Sequence, residues 1–179
     1  MQIKRLFASA AVAVVLVTSQ ASIAAASATH RHDGLAELRA ATAKYHSIAT
    51  VERHGYAEFF DTAGIACIAE PGMGAMGIHY VNSTLVGNPK LIPTKPEAIL
   101  YAPDRHGRLH LAAVEYIVVK AAWDATHAAP PRMYGQDFNV TDAPNRFGLP
   151  PFYSLHVWAW QHNPAGLFEM WNPNVVCPV

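Results

Sequence analysis

His79, Glu115 and His156 are the side chains of this sequence best suited to chemistry. Two imidazoles and one carboxylate form a donor set for a divalent transition metal such as zinc, iron, copper or manganese. They stand in three segments that read as separate β-strands, "GIHYVN", "LAAVEYIVV" and "SLHVWAWQH". In the last of these, alternation puts His156, Trp158, Trp160 and His162 on one face and Leu155, Val157 and Ala159 on the other. The second face is core. The first predicts one wall of a partly enclosed polar-aromatic pocket, with Trp158, Trp160 and His162 contacting a small ligand and His156 joining His79 and Glu115 around a metal. Both faces of Glu115's strand become apolar around Val114, so its carboxylate is expected inside, where it must be paired, protonated or metal-bound. Glu115 is also the candidate catalytic group, acting as acid or base with a histidine.

The elements that must carry these residues can be read around them. "EAILYAP" and "RLHLAAVEYIVVKAAW" flank Asp104-Arg105-His106-Gly107, which predicts an antiparallel hairpin. Parity in the second strand groups Glu115 with Leu109, Leu111, Ala113 and Ile117 and sets His110 on the opposite face. His79 follows Gly72, Gly74 and Gly77, which permit tight turns or close backbone packing beside it. The proline-rich segment from Ala128 to Pro151 predicts a long irregular connection at the pocket rim. Beyond it, Asn163 and Pro164 predict a helix start, with Leu167 and Trp171 four apart.

Near the amino end, Leu35, Leu38, Thr42, Tyr45, Ala49 and Glu52 recur at helical spacing, with Asp33 as cap, so one amphipathic helix is expected from Asp33 to Gly55. His46 and His54 fall off that stripe and read as solvated. The fold class is therefore α+β and mainly antiparallel: a sheet or barrel-like array of about five or more strands with one long N-terminal amphipathic helix.

Lys4 and Arg5, the apolar run Ala8 to Val17, and small residues down to Ala28 read as a secretory signal peptide over residues 1–28. Residues 29–179 then form a single exported globular domain, secreted or periplasmic, with no stable membrane span after signal cleavage. Loss of Lys4 and Arg5 leaves 11 basic against 13 acidic residues, a balance that suggests no nucleic-acid partner. Cys67 and Cys177 are the two cysteines, and in an oxidising compartment they are expected to pair.

HExxH, GxSxG, CxxC and phosphate-loop patterns are absent, and no helix with a distant acidic residue follows "GMGAMG", so it is no dinucleotide fingerprint. The combination "GAMGIHYVN", "PEAILYAP", "LAAVEYIVV" and "LHVWAWQHNPAGLFEMWNPNVVC" resembles a group of exported bacterial proteins. That resemblance spans most of the chain, from about Leu38 to Cys177, and implies export and a small single domain but no activity. The leading functional expectation is an exported domain that binds a small ligand or metal ion in a His/Glu/Trp-lined pocket. A metal-dependent enzyme, oxidative or hydrolytic, would use the same residues, and a structural or partner-binding domain is the further alternative.

Overall fold

The computed structural model describes residues 33–178, so the signal peptide expected over residues 1–28 lies outside the described residues. The architecture is α+β, and its sheet is antiparallel and open rather than closed into a barrel. The strands are β1 (Ala57–Glu58), β2 (Cys67–Glu70), β3 (Gly74–Val81), β4 (Ala98–Pro103), β5 (Leu109–Val119), a small separate hairpin of β6 (Arg132–Met133) and β7 (Gln136–Asp137), then β8 (Asn139–Thr141) and β9 (Phe152–Val157). The main sheet runs β1-β3-β4-β5-β9-β8, and β2 pairs with the amino-terminal half of β3 on the edge it shares with β1.

One face is covered by helices. The amphipathic stretch is helical over residues 33–42 (α1), tightens to a 3-10 turn at Ala43–His46, and breaks at Ser47, whose backbone is extended, before α2 at Ile48–Arg53. The single long helix expected from periodicity is thus not formed. Tertiary bonds compete with its ladder: the Tyr101 hydroxyl takes the Tyr45 carbonyl, the Trp160 indole donates to the Thr42 hydroxyl (3.1 Å), and that hydroxyl donates to the Leu38 carbonyl (2.7 Å). With this break, Leu38, Tyr45 and Val51 all join the core with Ile99, Val114, Tyr116 and Leu155.

The other face is covered by coil. Ile68, Leu100, Ile117, Trp158 and Val175 form its cluster. The helix expected after Asn163 is replaced by turns, because asparagine side chains take over the local backbone groups. Asn163 accepts from the Ala165 amide and donates to the Trp171 carbonyl, while Asn172 accepts from the Asn174 amide and donates to the His162 carbonyl. The Cys67–Cys177 disulfide ties this tail to β2 across 110 residues of sequence. Among the described residues, no helix is long and apolar enough to cross a membrane.

Two bulges set which residues share the coil-covered face. Between β4 and β5 the register shifts at Leu100/Tyr101, which pair with Ala113 and Leu111 and leave Ala112 as the extra residue. Leu109 and Leu111 therefore pack on the helix side, not beside Glu115 as simple parity predicts. Between β2 and β3 the shift leaves Met76 extra, next to Gly77, whose φ of 94° places its missing Cβ against the Tyr101 carbonyl oxygen of β4. Gly77 thus fixes both the bulge and the approach of β4 two residues before His79.

Two outcomes follow for stability. Gly77→Ala is expected to destabilise the fold by ~2 kcal/mol or more in chemical denaturation, since it adds a clash to positive-φ strain, whereas Gly107→Ala, at a φ of 75° in open space, costs only the strain, ~1 kcal/mol. Reduction of the disulfide should lower stability by ~4–5 kcal/mol on the chain-entropy account. Equal effects at the two glycines would contradict the close-packing role of Gly77.

Candidate functional site

Glu115 and His156 are direct cross-strand neighbours on β5 and β9, and the ladder of six residue pairs around them holds their register. His79 reaches the same point from β3, across β4. There Ala98 lies between Val81 and Glu115, and Leu100 lies between His79 and Ala113. Ala98 is small and fully buried, so the longer side chains of His79 and Glu115 can meet above its strand.

His79 Nε2 lies 3.5 Å from Glu115 Oε2, and His156 Nδ1 lies 3.4 Å from Glu115 Oε1. One ligand atom from each of the three side chains falls within 4.8 Å of the others. Donor atoms around a tetrahedral ion at ~2.1 Å stand ~3.4 Å apart; each histidine lies at about that separation from a different oxygen of Glu115, so a small contraction would bring one atom of each side chain to a common ion. The buried His79, Glu115 and His156 group can hold a metal ion.

The electrostatics are those of a neutral site. Burial pushes Glu115 up to about 8, reinforced by the nearby Glu97 and opposed by the Ser154 hydroxyl. Burial takes His79 down to about 4, with a smaller opposing pull from the Gly77 backbone, which lies outside hydrogen-bond geometry. His156 is pushed well below its ordinary value by burial and by His79. Burial thus favours the neutral form of all three groups in the two close His–Glu approaches. His79 Nδ1 and both ring nitrogens of His156 are buried without a hydrogen-bond partner, and since a neutral imidazole keeps one lone pair, His156 has one nitrogen free for coordination.

A cavity of about 340 Å³ opens over these three side chains. Its walls are largely apolar: Phe59 before β2, Met76 on β3, Phe147 and Leu149 from the proline-rich segment, Phe152 on β9, and Met170 from the tail. The proline-rich segment does form part of the rim. It also contains the small hairpin and β8, and Arg146 anchors it through Asp61 (Nη2–Oδ2 2.7 Å), whose carboxyl it holds below the usual range.

The residues expected to contact a ligand are placed elsewhere. β9 ends at Val157, where the Ala159 amide bonds back to the Val157 carbonyl (2.8 Å) and the Trp160 and Gln161 amides both take the Ala112 carbonyl at the β5 bulge (3.0 Å). Strand alternation stops there. Trp158 is buried in the coil-side cluster with its indole on the Glu169 carbonyl (2.6 Å), Trp160 crosses to the helix side, and His162 is exposed. Trp158, Trp160 and His162 do not line the cavity.

Sequence reasoning missed the phenylalanine and methionine walls: Phe59, Phe147 and Met170 lie in loops that carry no periodicity, Met76 is the extra residue of a bulge, and Phe152 stands at the first position of β9. It also missed Glu97, which is buried just before β4, accepts a hydrogen bond from the Ile117 amide (3.1 Å) at the end of the ladder, and is pushed up to about 8 by burial. No protein-family model, curated protein or solved structure matches this chain.

The pH dependence of stability follows with a definite sign. Glu97 and Glu115 titrate near 8 when folded against 4.5 when exposed, so the stability they contribute at low pH is lost as pH rises towards 8. The histidines act oppositely, losing their contribution as pH falls from 6.5 towards His79's folded value of about 4. Between pH 6.5 and 8 the carboxyls outweigh the histidines, whose unfolded forms lose their remaining protons over the same interval. Thermal melts in chelator should show Tm falling over that interval, with a shallower fall for Glu97→Gln. A flat or rising profile in the parent would contradict a protonated carboxyl pair.

Proposed function

We propose that this protein is a metal-binding domain that holds a divalent transition metal through His79, Glu115 and His156, beneath a pocket that admits a small molecule. The observation that carries the reading is the unpartnered, 1 % exposed His156 within reach of a carboxylate that faces a second buried histidine. A buried imidazole without a partner is costly, and coordination satisfies it directly. Neutral histidines and one ionised carboxylate suit zinc or iron(II), and three protein ligands leave a further position free towards the pocket. That free position also supports a second reading, a metal-dependent enzyme of oxidative or hydrolytic type, in which a bound substrate or water would complete the coordination. The disulfide and the signal-like amino end support export, where the cysteines would stay oxidised.

Stoichiometric uptake of zinc by the protein without a histidine tag is the expected result, with a rise in Tm on loading. Glu115→Gln should lower metal affinity by about a hundredfold or more, since even outer-shell partners contribute ~10–100-fold. Its metal-free stability should change by less than ~1 kcal/mol, because the amide mimics the protonated carboxyl. His79→Ala and His156→Ala should abolish stoichiometric uptake, while the exposed His110→Ala and His162→Ala bind like the parent. Undiminished uptake by the first two variants would remove the proposed centre.

A further inference from the structure

The walls of the pocket say more about its occupant than the floor does. Phe59, Phe147 and Phe152 form a chain of rings, with centroids 6.4 Å apart and tilted between the first pair and 5.9 Å apart and edge-on between the second. Phe59 and Phe147 are only half-buried, so parts of their rings have no protein partner. Met76 and Met170 add polarizable sulfur to the lining. Rings offering free faces and edges, with thioethers near them, suit a flat aromatic body better than a polar one. The volume of about 340 Å³ lies at the small end of the ~300–1,000 Å³ range of small-molecule sites.

Charge fixes the head group. A divalent ion held by two neutral imidazoles and one carboxylate leaves a net single positive charge in a buried place, and such a charge is costly until it is paired. The cavity lining contains no lysine or arginine, and its carboxylates are Glu115 on the floor and the exposed Glu58. Without the ion, the pocket therefore has no lysine or arginine to attract an anion, and Glu58 repels one at the mouth. With the ion, the only favourable place for a negative charge is the floor.

Resting on the metal-centre reading above, we infer that the pocket takes a small aromatic monoanion, an aryl carboxylate whose head occupies the open metal position and whose ring lies against Phe59, Phe147 and Phe152. Recognition is by one charge at the floor and chiefly by apolar contact elsewhere, with the Ser83 and Thr141 hydroxyls the neutral polar groups of the lining away from the floor.

The test uses the full exported chain, metal-free or loaded with zinc alone, and calorimetric titration with 1-naphthoate, the neutral 1-naphthamide and the aliphatic octanoate. Naphthoate should bind the zinc form about tenfold or more tighter than the metal-free form, as expected for pairing a desolvated charge. Naphthamide should show no such gain, octanoate should bind the zinc form more weakly than naphthoate, and Phe147→Ala should weaken naphthoate binding about tenfold. Stoichiometric zinc uptake with equal affinity for naphthoate and naphthamide overturns the anion assignment and leaves the metal centre standing. Equal affinity for octanoate and naphthoate overturns the aromatic assignment. Failure to take up zinc overturns both the metal centre and this inference.

Discussion

The burial of His156 is the constraint on which the rest of the site depends. Its ring is fully enclosed with neither nitrogen hydrogen-bonded, beside a carboxyl that burial keeps protonated. Each unsatisfied buried polar group costs ~1–3 kcal/mol, a large fraction of the ~5–15 kcal/mol that separates folded from unfolded domains. Such a ring stays in place only if its surroundings leave it nowhere else to go. The six-pair ladder between β5 and β9 supplies that rigidity, with Val157 and Leu155 packed on the opposite face. Coordination of an ion by one of these nitrogens and displacement of the Glu115 proton would turn a local cost of folding into binding energy.

The two faces of the sheet divide the work. The helix-covered face carries large side chains, including tyrosines whose hydroxyls close on backbone carbonyls: Tyr56 on Pro96 at 2.7 Å, Tyr116 on Pro93 at 2.5 Å, and Tyr101 on Tyr45. The first two bonds fasten the segment before β4, and with it Glu97 and Ala98, from the side away from the pocket, and the third fastens the 3-10 turn to β4. The coil-covered face carries Ala98, Ala102, Ala112 and Ala113, and this shallow floor leaves space for the longer polar side chains. A larger residue at position 98 would occupy the place where His79 and Glu115 meet.

Much of this was legible in the sequence where strand alternation operates without interruption. The inward aim of Glu115 and its grouping with His79 and His156 rested on buried strands, and the antiparallel hairpin at Asp104–Gly107 rested on turn chemistry. Where periodicity failed, a tertiary bond had replaced a local one. Trp160 left its predicted face because the chain turns at Ala159 onto the carbonyl of Ala112, a residue freed by a bulge in another strand. The long helix broke because Tyr101, from β4, took the carbonyl of Tyr45. Leu109 and Leu111 changed sides through the same bulge, yet the pairing of Glu115 with His156 survived because the irregularity lies beyond it on the β4 side. No window of sequence around Trp160 or Tyr45 contains the partner that decides its conformation.

The placement of walls and floor on different kinds of structure has a mechanical consequence. His79, Glu115 and His156 are borne by paired strands, where a shift of one ligand would require moving a ladder. Phe59, Phe147, Leu149 and Met170 lie in segments without regular structure, joined to one another by the Asp61–Arg146 ion pair and to the sheet side by bonds such as Phe59 N–H to the His79 carbonyl and Trp158 N–H to the Leu167 carbonyl. Such segments can adjust their side chains and backbone while the strands keep register. Adaptation to the shape of a bound molecule would fall first on these loop walls, while Met76 and Phe152, on β3 and β9, are held with the three polar groups. A centre built in the reverse sense, with ligands on loops and walls on strands, would lose its coordination geometry each time the pocket opened.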